Sequence, residues 1–322
     1  MTRPFWRNLA EGFHHRRIRW GKGGFDCFIW RGKQPGPVLL MNGGTHGDEY
    51  EGPVLLAELT SSWRPKVLSG TVVAVPVLDE ASFFAGRQGH VSPLDGKNLA
   101  RVFPGKPDGS PTEQLAHVFL NRLLKHADFY VDFHSAGAMN ELLPWVGYFT
   151  IEDEKIMEKQ RLMAQCYDRW WCWGAPYNPG RTLSAAYKLG IPAIYLEGQG
   201  KGDVAPEDLT ALHRGTKRLL TTLGFTRGKV DLRPQRITRE ADDASEHDFD
   251  CQQHPAPCNG LLMWVVRVGK RVQQDEKVAV IQPLDGSKAH VIHAAKRGRV
   301  VLARRHRSIC KGEAAAWVVA IP

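Results

Sequence analysis

Short apolar runs in this sequence lead into side chains that can bind a metal ion. They occur in this order: residues 38–40 before His46 and Glu49, residues 129–133 before His134, and residues 193–196 before Glu197. Such runs predict buried strands, and functional groups of open α/β sheets lie just beyond the carboxyl ends of the strands. A catalytic zinc ion needs three protein ligands, an open fourth position and a nearby carboxylate that accepts a proton from water. The pattern therefore predicts a metal site at one edge of a sheet.

The hydrophobic pattern alternates between strand-like and helix-like segments over most of the chain. The strand-like runs are residues 38–41, 71–77, 129–133 and 193–196, and the helix-like stretches are residues 53–61, 112–125, 153–171 and 206–223. This alternation predicts an α/β fold with a mostly parallel sheet flanked by helices. A length of 322 residues suits one catalytic domain and a smaller second one.

The pattern changes after a polar stretch near residue 240. Short strand-like runs then recur without helices, at residues 261–268, 277–281, 290–293, 300–303 and 315–321. We therefore predict a catalytic domain at residues 1–230 and, at residues 231–322, a linker followed by a smaller C-terminal all-β domain. This tail is similar to the biotinyl and lipoyl barrel-sandwich domains, which carry a cofactor on a hairpin lysine. Lys288 is the candidate, but its surroundings lack the usual motif, so a structural or lid role is preferred.

Four motifs resemble those of the succinylglutamate desuccinylase/aspartoacylase family of zinc carboxypeptidase-like hydrolases. They are Asn-Gly-Gly-Thr-His-Gly-Asp-Glu at residues 42–49, Asp-Gly-Lys-Asn-Leu-Ala-Arg-Val-Phe-Pro-Gly at residues 95–105, Val-Asp-Phe-His-Ser at residues 131–135 and Glu-Gly-Gln-Gly at residues 197–200. Within the family, the first two motifs and the β-tail are most similar to the N-acetyl-diaminobutyrate deacetylases. The resemblance implies one zinc ion per chain on His46, Glu49 and His134, with Glu197 as general base. It also implies a deacylase for a small N-acyl amino acid.

The second motif departs from the family pattern at a residue that binds substrate. The family usually has Asn-Leu-Asn-Arg, whose second asparagine and arginine hold a substrate carboxylate, whereas this chain has Ala100 before Arg101. An arginine makes paired hydrogen bonds to a carboxylate unaided, so anion binding can survive with a different orientation of the substrate. The resemblance implies these substrate-binding candidates: Asn98, Arg101, Tyr177 and Arg181. For Arg181, an ordinary surface arginine is the alternative.

Two supporting roles complete the predicted site. The family places an arginine upstream of the second motif to polarise the scissile carbonyl, and either Arg87 or His90 fits that role here, with Arg87 preferred. Asp132 lies two residues before His134 and is a candidate to orient a ligand histidine through a hydrogen bond. The alternative is a carboxylate satisfied by main-chain amides at a strand end.

Charge and composition limit the possible partners. The net charge is +9, but the basic residues are spread along the chain without an aromatic stacking pattern, which favours attraction of a small anionic substrate over nucleic-acid binding. No apolar stretch approaches the length of a membrane span, and the first residues lack an apolar signal core. We therefore expect a cytoplasmic protein without a membrane partner, and leave open whether it is a homo-oligomer.

Other assignments remain as rivals. Six cysteines without a Cys-x-x-Cys pair do not predict a disulfide framework. The zinc-ligand types His247, Cys251, His254 and Cys258 match no structural zinc motif, so an ordinary loop is preferred to a second metal site. A metallocarboxypeptidase or a hydrolase of peptides or neutral amides would use the same zinc chemistry. A carrier or binding protein without catalysis would rest on the lipoyl-like tail and on Ala100.

Overall fold

A large mixed sheet runs through the first two thirds of the chain. The computed structural model describes residues 4–85, 89–168, 170–232, 237–240 and 254–320. Its first ten strands are β1 (Gly12–Trp20), β2 (Gly23–Arg31), β3 (Gln34–Asn42), β4 (Ser69–Val75), β5 (Phe129–Ser135), β6 (Asn140–Leu142), β7 (Trp145–Thr150), β8 (Trp171–Pro176), β9 (Ala193–Gly198) and β10 (Ile237–Glu240). Among the described residues, all of these except β6 form one sheet of nine strands in the order β1-β2-β4-β3-β5-β9-β7-β8-β10.

The predicted, mostly parallel sheet is confirmed. At its centre, β4, β3, β5 and β9 run parallel to one another. Antiparallel pairs join β1 to β2, β2 to β4 and β7 to β9, and the outer pairs of β8 with β7 and with β10 are again parallel. The carboxyl ends of β3, β5 and β9 therefore lie side by side at one edge of the sheet, which we name the catalytic edge.

Helices cover both faces of the sheet. They are α1 (Glu51–Ser62), α2 (Glu80–Ala85), α3 (Pro111–Arg122), α4 (Glu154–Gln165), α5 (Thr182–Lys188) and α6 (Pro206–Thr222), with short 3-10 turns at Phe5–Asn8, Leu99–Arg101 and Leu124–His126. One buried cluster joins the sheet to α1, α4 and α6, and a second joins it to α3 and α5. None of the helices in the described ranges combines the length and the apolar character needed to cross a bilayer.

Successive side chains of β5 point to opposite faces of the sheet, so that its apolar and its polar residues are separated. Val131 and Phe133 pack with the α1, α4 and α6 cluster, whereas Tyr130 packs on the opposite face. Because successive side chains in a strand point to opposite faces, Asp132 and His134 share the face of Tyr130. The hydrophobic alternation therefore presents two polar side chains on one side of the sheet.

One predicted helix is too long. The helical pattern at residues 153–171 indicated a helix throughout, but α4 ends at Gln165 and β8 begins at Trp171. The Asp153 side chain caps the amino end of α4 by accepting hydrogen bonds from the next main-chain amides. At the other end, the bulky aromatic residues after Gln165 join the sheet, where Trp173 packs with Trp145 and Trp317. Tertiary packing of tryptophans therefore overrides the helical pattern here.

The last part of the chain forms a separate β-structure, which we name the C-terminal lobe (residues 254–320). Its strands are β11 (Gly260–Val265), β12 (Arg271–Val272), β13 (Lys277–Gln282), β14 (His290–His293), β15 (Gly298–Arg304), β16 (Ser308–Ile309) and β17 (Ala316–Val319). One antiparallel sheet has the order β14-β13-β11-β16, and a second has the order β12-β15-β17. Small apolar side chains of both sheets fill the space between them. The predicted all-β C-terminal region is confirmed.

The C-terminal lobe is joined to the first part of the chain by the pairing of β6 with β15 and by a shared core. Strand β6 pairs with β15, so that Leu142 lies opposite Leu302. The Trp317 ring lies 6.2 Å from the Trp145 ring and 5.8 Å from the Trp173 ring, measured between centroids. From the segment predicted to be a linker, β10 adds to the large sheet beside β8. The domain boundary after residue 230 remains a prediction.

Candidate active site

The catalytic edge brings the predicted metal-binding residues together. His134 and Glu197 lie directly opposite each other in the parallel pair of β5 and β9, and Asn42, the last residue of β3, lies opposite Asp132. The turn that follows β3 then carries His46 and Glu49 to the same place, so that three strand ends converge. The side chains of His46, Glu49, His134 and Glu197 are all buried or nearly so.

His46, Glu49 and His134 form a compact donor set. Nδ1 of His46 lies 2.7 Å from Oε1 of Glu49, and Nδ1 of His134 lies 2.9 Å from Oε2 of the same carboxylate. One ligand-type atom from each residue lies within 4.8 Å of the other two. Two imidazoles and one carboxylate, buried around a common point, are the ligand types and the number that a catalytic zinc site uses. The donor set therefore fits the ion that the sequence predicted.

The outer nitrogens of both histidines are held by side-chain oxygens. Nε2 of His46 donates to Oδ1 of Asn98 over 3.0 Å, and Nε2 of His134 lies 3.0 Å from Oδ2 of Asp132. An oxygen acceptor at Nε2 keeps the proton there and leaves Nδ1 as the ligand atom. The contact expected of Asp132 is thus present. Asn98 was predicted to bind substrate; its side-chain oxygen contacts His46 and the Ala100 amide, and its substrate role remains a prediction.

Asp132 is held in a buried polar network. Its carboxylate accepts hydrogen bonds from the side-chain amide of Asn42 at 2.8 Å, from the Thr45 hydroxyl at 3.2 Å and from the Thr182 hydroxyl at 2.5 Å. Burial alone would raise the pKa of Asp132, but the neighbouring His134 and these donors outweigh burial and hold the pKa below its ordinary value. Asp132 therefore stays charged opposite the His134 ring.

Glu197 lies in surroundings that shift its proton affinity. Burial raises its pKa well above the ordinary value, the charges of Glu49 and Asp132 raise it further, and His134 and Arg181 oppose the rise. A carboxylate with a raised pKa takes up a proton more readily near neutral pH, which is the property that proton transfer to and from a reacting group requires. The chemistry of the position matches the predicted role, which remains a prediction.

A cavity of about 460 Å³ opens over these residues. The predicted residues in its wall are His46, Glu49, His90, Asn98, Arg101, His134, Arg181 and Glu197. Ala100, at the departure from the family motif, also lines it. The two arginine-bearing segments are joined, because the Phe103 amide donates to the Gly180 carbonyl at 3.0 Å. Both arginines line the same cavity, and their role in binding substrate remains a prediction.

Of the predicted residues that the structure describes, Tyr177 does not line this cavity. The Tyr177 ring packs against Phe149 and Tyr187 and lines a smaller neighbouring crevice with Phe103. Its substrate role therefore has no support from the position of the ring, although it remains a prediction. Arg87, the preferred carbonyl-polarising residue, lies outside the described residues.

His90, the alternative to Arg87, lies at the metal-binding group. Its ring stacks on His46 with a centroid distance of 4.2 Å and an interplanar angle of 13°. Nδ1 of His90 lies 3.3 Å from Asp48, and Nε2 lies 3.5 Å from Glu49. Of the two candidates, His90 is the one that the structure places beside the predicted zinc ligands.

The sequence suggested a lid role for the C-terminal tail, but it did not identify the residues that the lobe contributes to the cavity. Leu302, Arg304, Glu313 and Ala314 line it. Arg304 follows Leu302 on β15, and the pairing of β15 with β6 aligns Arg304 with Asn140, another residue of the wall. No local sequence motif identifies these residues as part of the cavity, because their position in the cavity wall depends on pairing between strands about 160 residues apart.

The structure gives little support to the alternative assignments in the C-terminal region, a second metal site and a cofactor-carrying lysine. The ring nitrogens of buried His254 are both used by the main chain: Nδ1 lies 3.2 Å from the Ala316 carbonyl oxygen, and Nε2 accepts from the Ala295 amide at 3.0 Å. His247 and Cys251 lie outside the described residues, and no disulfide is present among the described cysteines. Lys288 lies exposed between β13 and β14. The described part of the second candidate metal site is thus engaged in packing the lobe.

Comparisons with known proteins agree with this architecture. The family model for the succinylglutamate desuccinylase/aspartoacylase catalytic domain matches residues 35–223. The N-alpha-acetyl-L-2,4-diaminobutyric acid deacetylase of Halomonas elongata is 32% identical over 280 residues, which cover 84% of this chain and 78% of that protein. A succinylglutamate desuccinylase structure from a Silicibacter species superposes with a TM-score of 0.87, at 26% identity over 97% of this chain and 96% of that chain. The product-bound ectoine utilization protein EutE (DoeB) of Ruegeria pomeroyi has a TM-score of 0.86, with the same identity and coverage.

Proposed function

Because the chain belongs to the succinylglutamate desuccinylase/aspartoacylase family, we propose that it is a zinc-dependent deacylase that hydrolyses the amide bond of a small N-acyl amino acid. One observation carries the proposal: the donor set of His46, Glu49 and His134 shares one cavity with Glu197 and with two arginines. The name of the Halomonas relative makes N-acetyl-diaminobutyrate the first substrate to test.

The residues of the cavity divide into those that would hold the metal, one that transfers protons and those that bind the substrate. Zinc, when bound by His46, Glu49 and His134, supplies a Lewis acid that polarises the acyl carbonyl and lowers the pKa of water. Glu197 accepts a proton from the attacking water and returns one to the nitrogen of the leaving amine, so that an acid and an amine are formed from the amide and water.

The remaining residues bind and orient the substrate. Arg101 pairs with the substrate carboxylate, and Arg181 assists it, which holds the amide in the reacting geometry. His90 donates a hydrogen bond to the carbonyl oxygen, as the arginine of the family pattern does. Its stacking on His46 places it at the metal-binding group.

The cavity favours small substrates over peptides. Its volume of about 460 Å³ is near the lower end of the roughly 300–1,000 Å³ typical of small-molecule sites. The C-terminal lobe supplies part of its wall, whereas a metallocarboxypeptidase or peptide amidase needs an open groove for the rest of the peptide.

A substrate panel tests the proposal. Chelator-treated and zinc-reconstituted protein are assayed on N-acetyl, N-succinyl and N-formyl amino acids beside short peptides, with zinc-loaded Glu197→Gln as the matched control. We expect zinc-dependent hydrolysis of at least one N-acyl amino acid. Preference for peptides would instead support the metallocarboxypeptidase alternative. Failure on every substrate, with no bound zinc and with an adduct on Lys288 in the intact mass, would support a carrier.

A further inference from the structure

Glu51 is a buried acidic residue beside the metal-binding turn, and it takes no part in the proposed proton transfer, metal binding or substrate binding. It begins α1 two residues after Glu49, and only 1% of its surface is exposed. It does not line the cavity. Its Oε1 atom accepts a hydrogen bond from the Gly200 amide at 2.8 Å. The residue therefore links the metal-binding turn to the segment that follows Glu197.

The main chain after Glu197 lies directly against the Glu51 carboxylate. A Cβ atom added to Gly198 would lie 2.7 Å from Oε1 of Glu51 and 2.8 Å from its carboxyl carbon, closer than real Cβ contacts. A side chain at position 198 would therefore have to displace the Glu51 carboxylate. The Gly198 carbonyl oxygen also accepts a hydrogen bond from the Ala136 amide at 3.3 Å, which ties the segment to the end of β5.

Stability alone does not account for a carboxylate in this place. Oε2 of Glu51 is buried without a well-formed hydrogen bond in the described part of the chain, although the Ser135 hydroxyl lies close to the carboxylate. A buried acceptor that is only partly satisfied lowers stability relative to an apolar side chain of the same shape. What the residue provides is a fixed contact between two elements of the catalytic edge.

We infer that Glu51 is a positioning residue for Glu197: its carboxylate holds the main chain at Gly198 and Gly200 and so fixes the direction of the Glu197 side chain relative to the His46, Glu49 and His134 group. The inference rests on the proposed function, because the position of Glu197 matters only if that side chain transfers a proton. Because Glu51 acts on the position of Glu197, we expect it to have no direct effect on the anchoring of substrate by Arg101.

Three single variants test the inference in zinc-loaded enzyme. Glu51→Gln keeps an oxygen acceptor for the Gly200 amide and should retain kcat within a few-fold. Glu51→Ala loses the acceptor, and misplacement of a catalytic group by about 1 Å can cost roughly 100-fold in rate. We expect its kcat to fall by about 10- to 100-fold with KM nearly unchanged and with one zinc ion per chain retained. If Glu51→Ala does not fold, Glu51→Asp takes its place, because it withdraws the carboxylate without removing the charge.

A double-mutant cycle separates positioning from general destabilisation. The methyl group of Gly198→Ala would collide with the Glu51 carboxylate and should lower kcat, but in the Glu51→Ala background the collision is absent and the added loss should shrink. Asp168→Ala removes a carboxylate that pairs with Arg214 and Arg218 away from the cavity, and serves as the control for lost stability without lost turnover.

Several outcomes would overturn the inference. The first two are loss of zinc in Glu51→Ala and a rise in KM of that variant in parallel with its fall in kcat. The other two are equal activities of Glu51→Gln and Glu51→Ala, and additive effects of the Glu51 and Gly198 substitutions. An active wild type with an unimpaired Glu51→Ala variant refutes this inference alone. A zinc-loaded wild type that is inactive on all N-acyl amino acids refutes the proposed function instead.

Discussion

The catalytic edge and the C-terminal lobe contribute to the same cavity in different ways. At the catalytic edge, the residues predicted to act on the bond come from neighbouring parallel strands, and the strand register places His134 opposite Glu197. The C-terminal lobe contributes Arg304 and Glu313 from the end of β15 and from a later turn. The first set is fixed by the register of parallel strands within one sheet, and the second by packing of the lobe against that sheet and by its pairing with β6. We therefore expect the edge to determine turnover and the lobe to determine selectivity.

The charges of the two regions also differ. The catalytic edge holds buried groups in close contact, such as His46 and Glu49 at 2.7 Å. In the lobe, Nη2 of Arg304 lies 3.1 Å from Oε2 of Glu313, and the Glu313 side chain is 42% exposed. Charge pairs that water reaches contribute little to stability or binding, whereas buried ones have large effects when broken. Changes at the edge should accordingly have the larger consequences.

The largest effect is expected from the metal ligands. His46→Ala and His134→Ala each remove one of the three predicted zinc ligands, and we expect both variants to lose most of their zinc and all measurable turnover. Metal analysis of purified protein measures the first effect directly. Arg304→Gln, a change in the lobe, is the matched control and should keep one zinc ion per chain. Normal zinc content in both histidine variants would show that the site lies elsewhere.

The next effect concerns the proton-transfer residue. Glu197→Gln leaves the metal ligands in place but cannot accept a proton, so zinc and fold should be retained while kcat falls by about 100- to 10,000-fold. Steady-state kinetics on the best substrate, with zinc content measured on the same sample, tests this. A variant with more than half of the wild-type rate would assign the general base to another residue.

These two regions also differ in how far the sequence predicts them. β3, β5 and β9 are recognisable because each is a buried apolar run, and polar residues after such runs in parallel strands must meet at one edge. The metal-binding residues and Glu197 could be chosen for that reason, together with the family motifs. The β1 and β2 hairpin was not predicted, because β1 is mostly exposed and its polar sequence lacks the hydrophobic pattern of a buried strand.

The particular lobe residues that line the cavity could not be predicted from the sequence, for a physical reason. Whether Arg304 reaches the cavity depends on the short strand β6, whose three residues carry no distinctive pattern and pair with β15 across the chain. The overlong prediction for α4 has a related cause, since the packing of Trp173 with Trp317 involves residues that are remote in sequence. Local patterns determine elements, whereas the shape of the cavity depends on contacts between elements.

A smaller effect is expected at Arg101, the arginine proposed to bind the substrate carboxylate. Arg101→Ala removes hydrogen bonds to a charged group, each worth about 1.5–3 kcal/mol. We expect kcat/KM to fall at least tenfold for substrates with a free carboxylate and much less for the corresponding amides. Arg101→Lys is the matched control, because it keeps the charge but not the paired geometry. Equal losses on acids and amides would show that Arg101 does not bind a carboxylate, and would favour a neutral amide substrate.

The departure at Ala100 should have a still smaller effect. Ala100 lines the cavity and is almost fully buried, so Ala100→Asn adds a polar side chain beside Arg101. We expect a change in KM or in substrate preference of up to about tenfold, equivalent to 1.4 kcal/mol, without loss of zinc. Assays of the variant on the same N-acyl amino acid panel measure it. Unchanged KM values across the panel would show that position 100 does not take part in selecting the substrate.

The smallest effect is expected at the charge pair of the lobe, and its sign is the informative part. Glu313→Gln leaves the Arg304 charge unbalanced at the cavity wall, whereas Arg304→Gln leaves the Glu313 charge unbalanced. A partly exposed pair contributes up to about 1 kcal/mol, or roughly fivefold in an equilibrium constant. We therefore expect Glu313→Gln to lower KM for substrates with an acidic side chain and to raise it for basic ones by a few-fold, and Arg304→Gln to do the opposite.

These shifts should weaken at high salt, because exposed charges are screened, and the double variant Arg304→Gln with Glu313→Gln should return near to the wild-type preference. Zinc content and the kcat of the best substrate should stay unchanged in all three variants. A hundredfold loss of kcat on every substrate in either single variant would place the lobe in the chemistry itself. The expected separation of turnover at the catalytic edge from selectivity in the C-terminal lobe would then be wrong, because Arg304 or Glu313 would be as necessary for turnover as the residues at the strand ends.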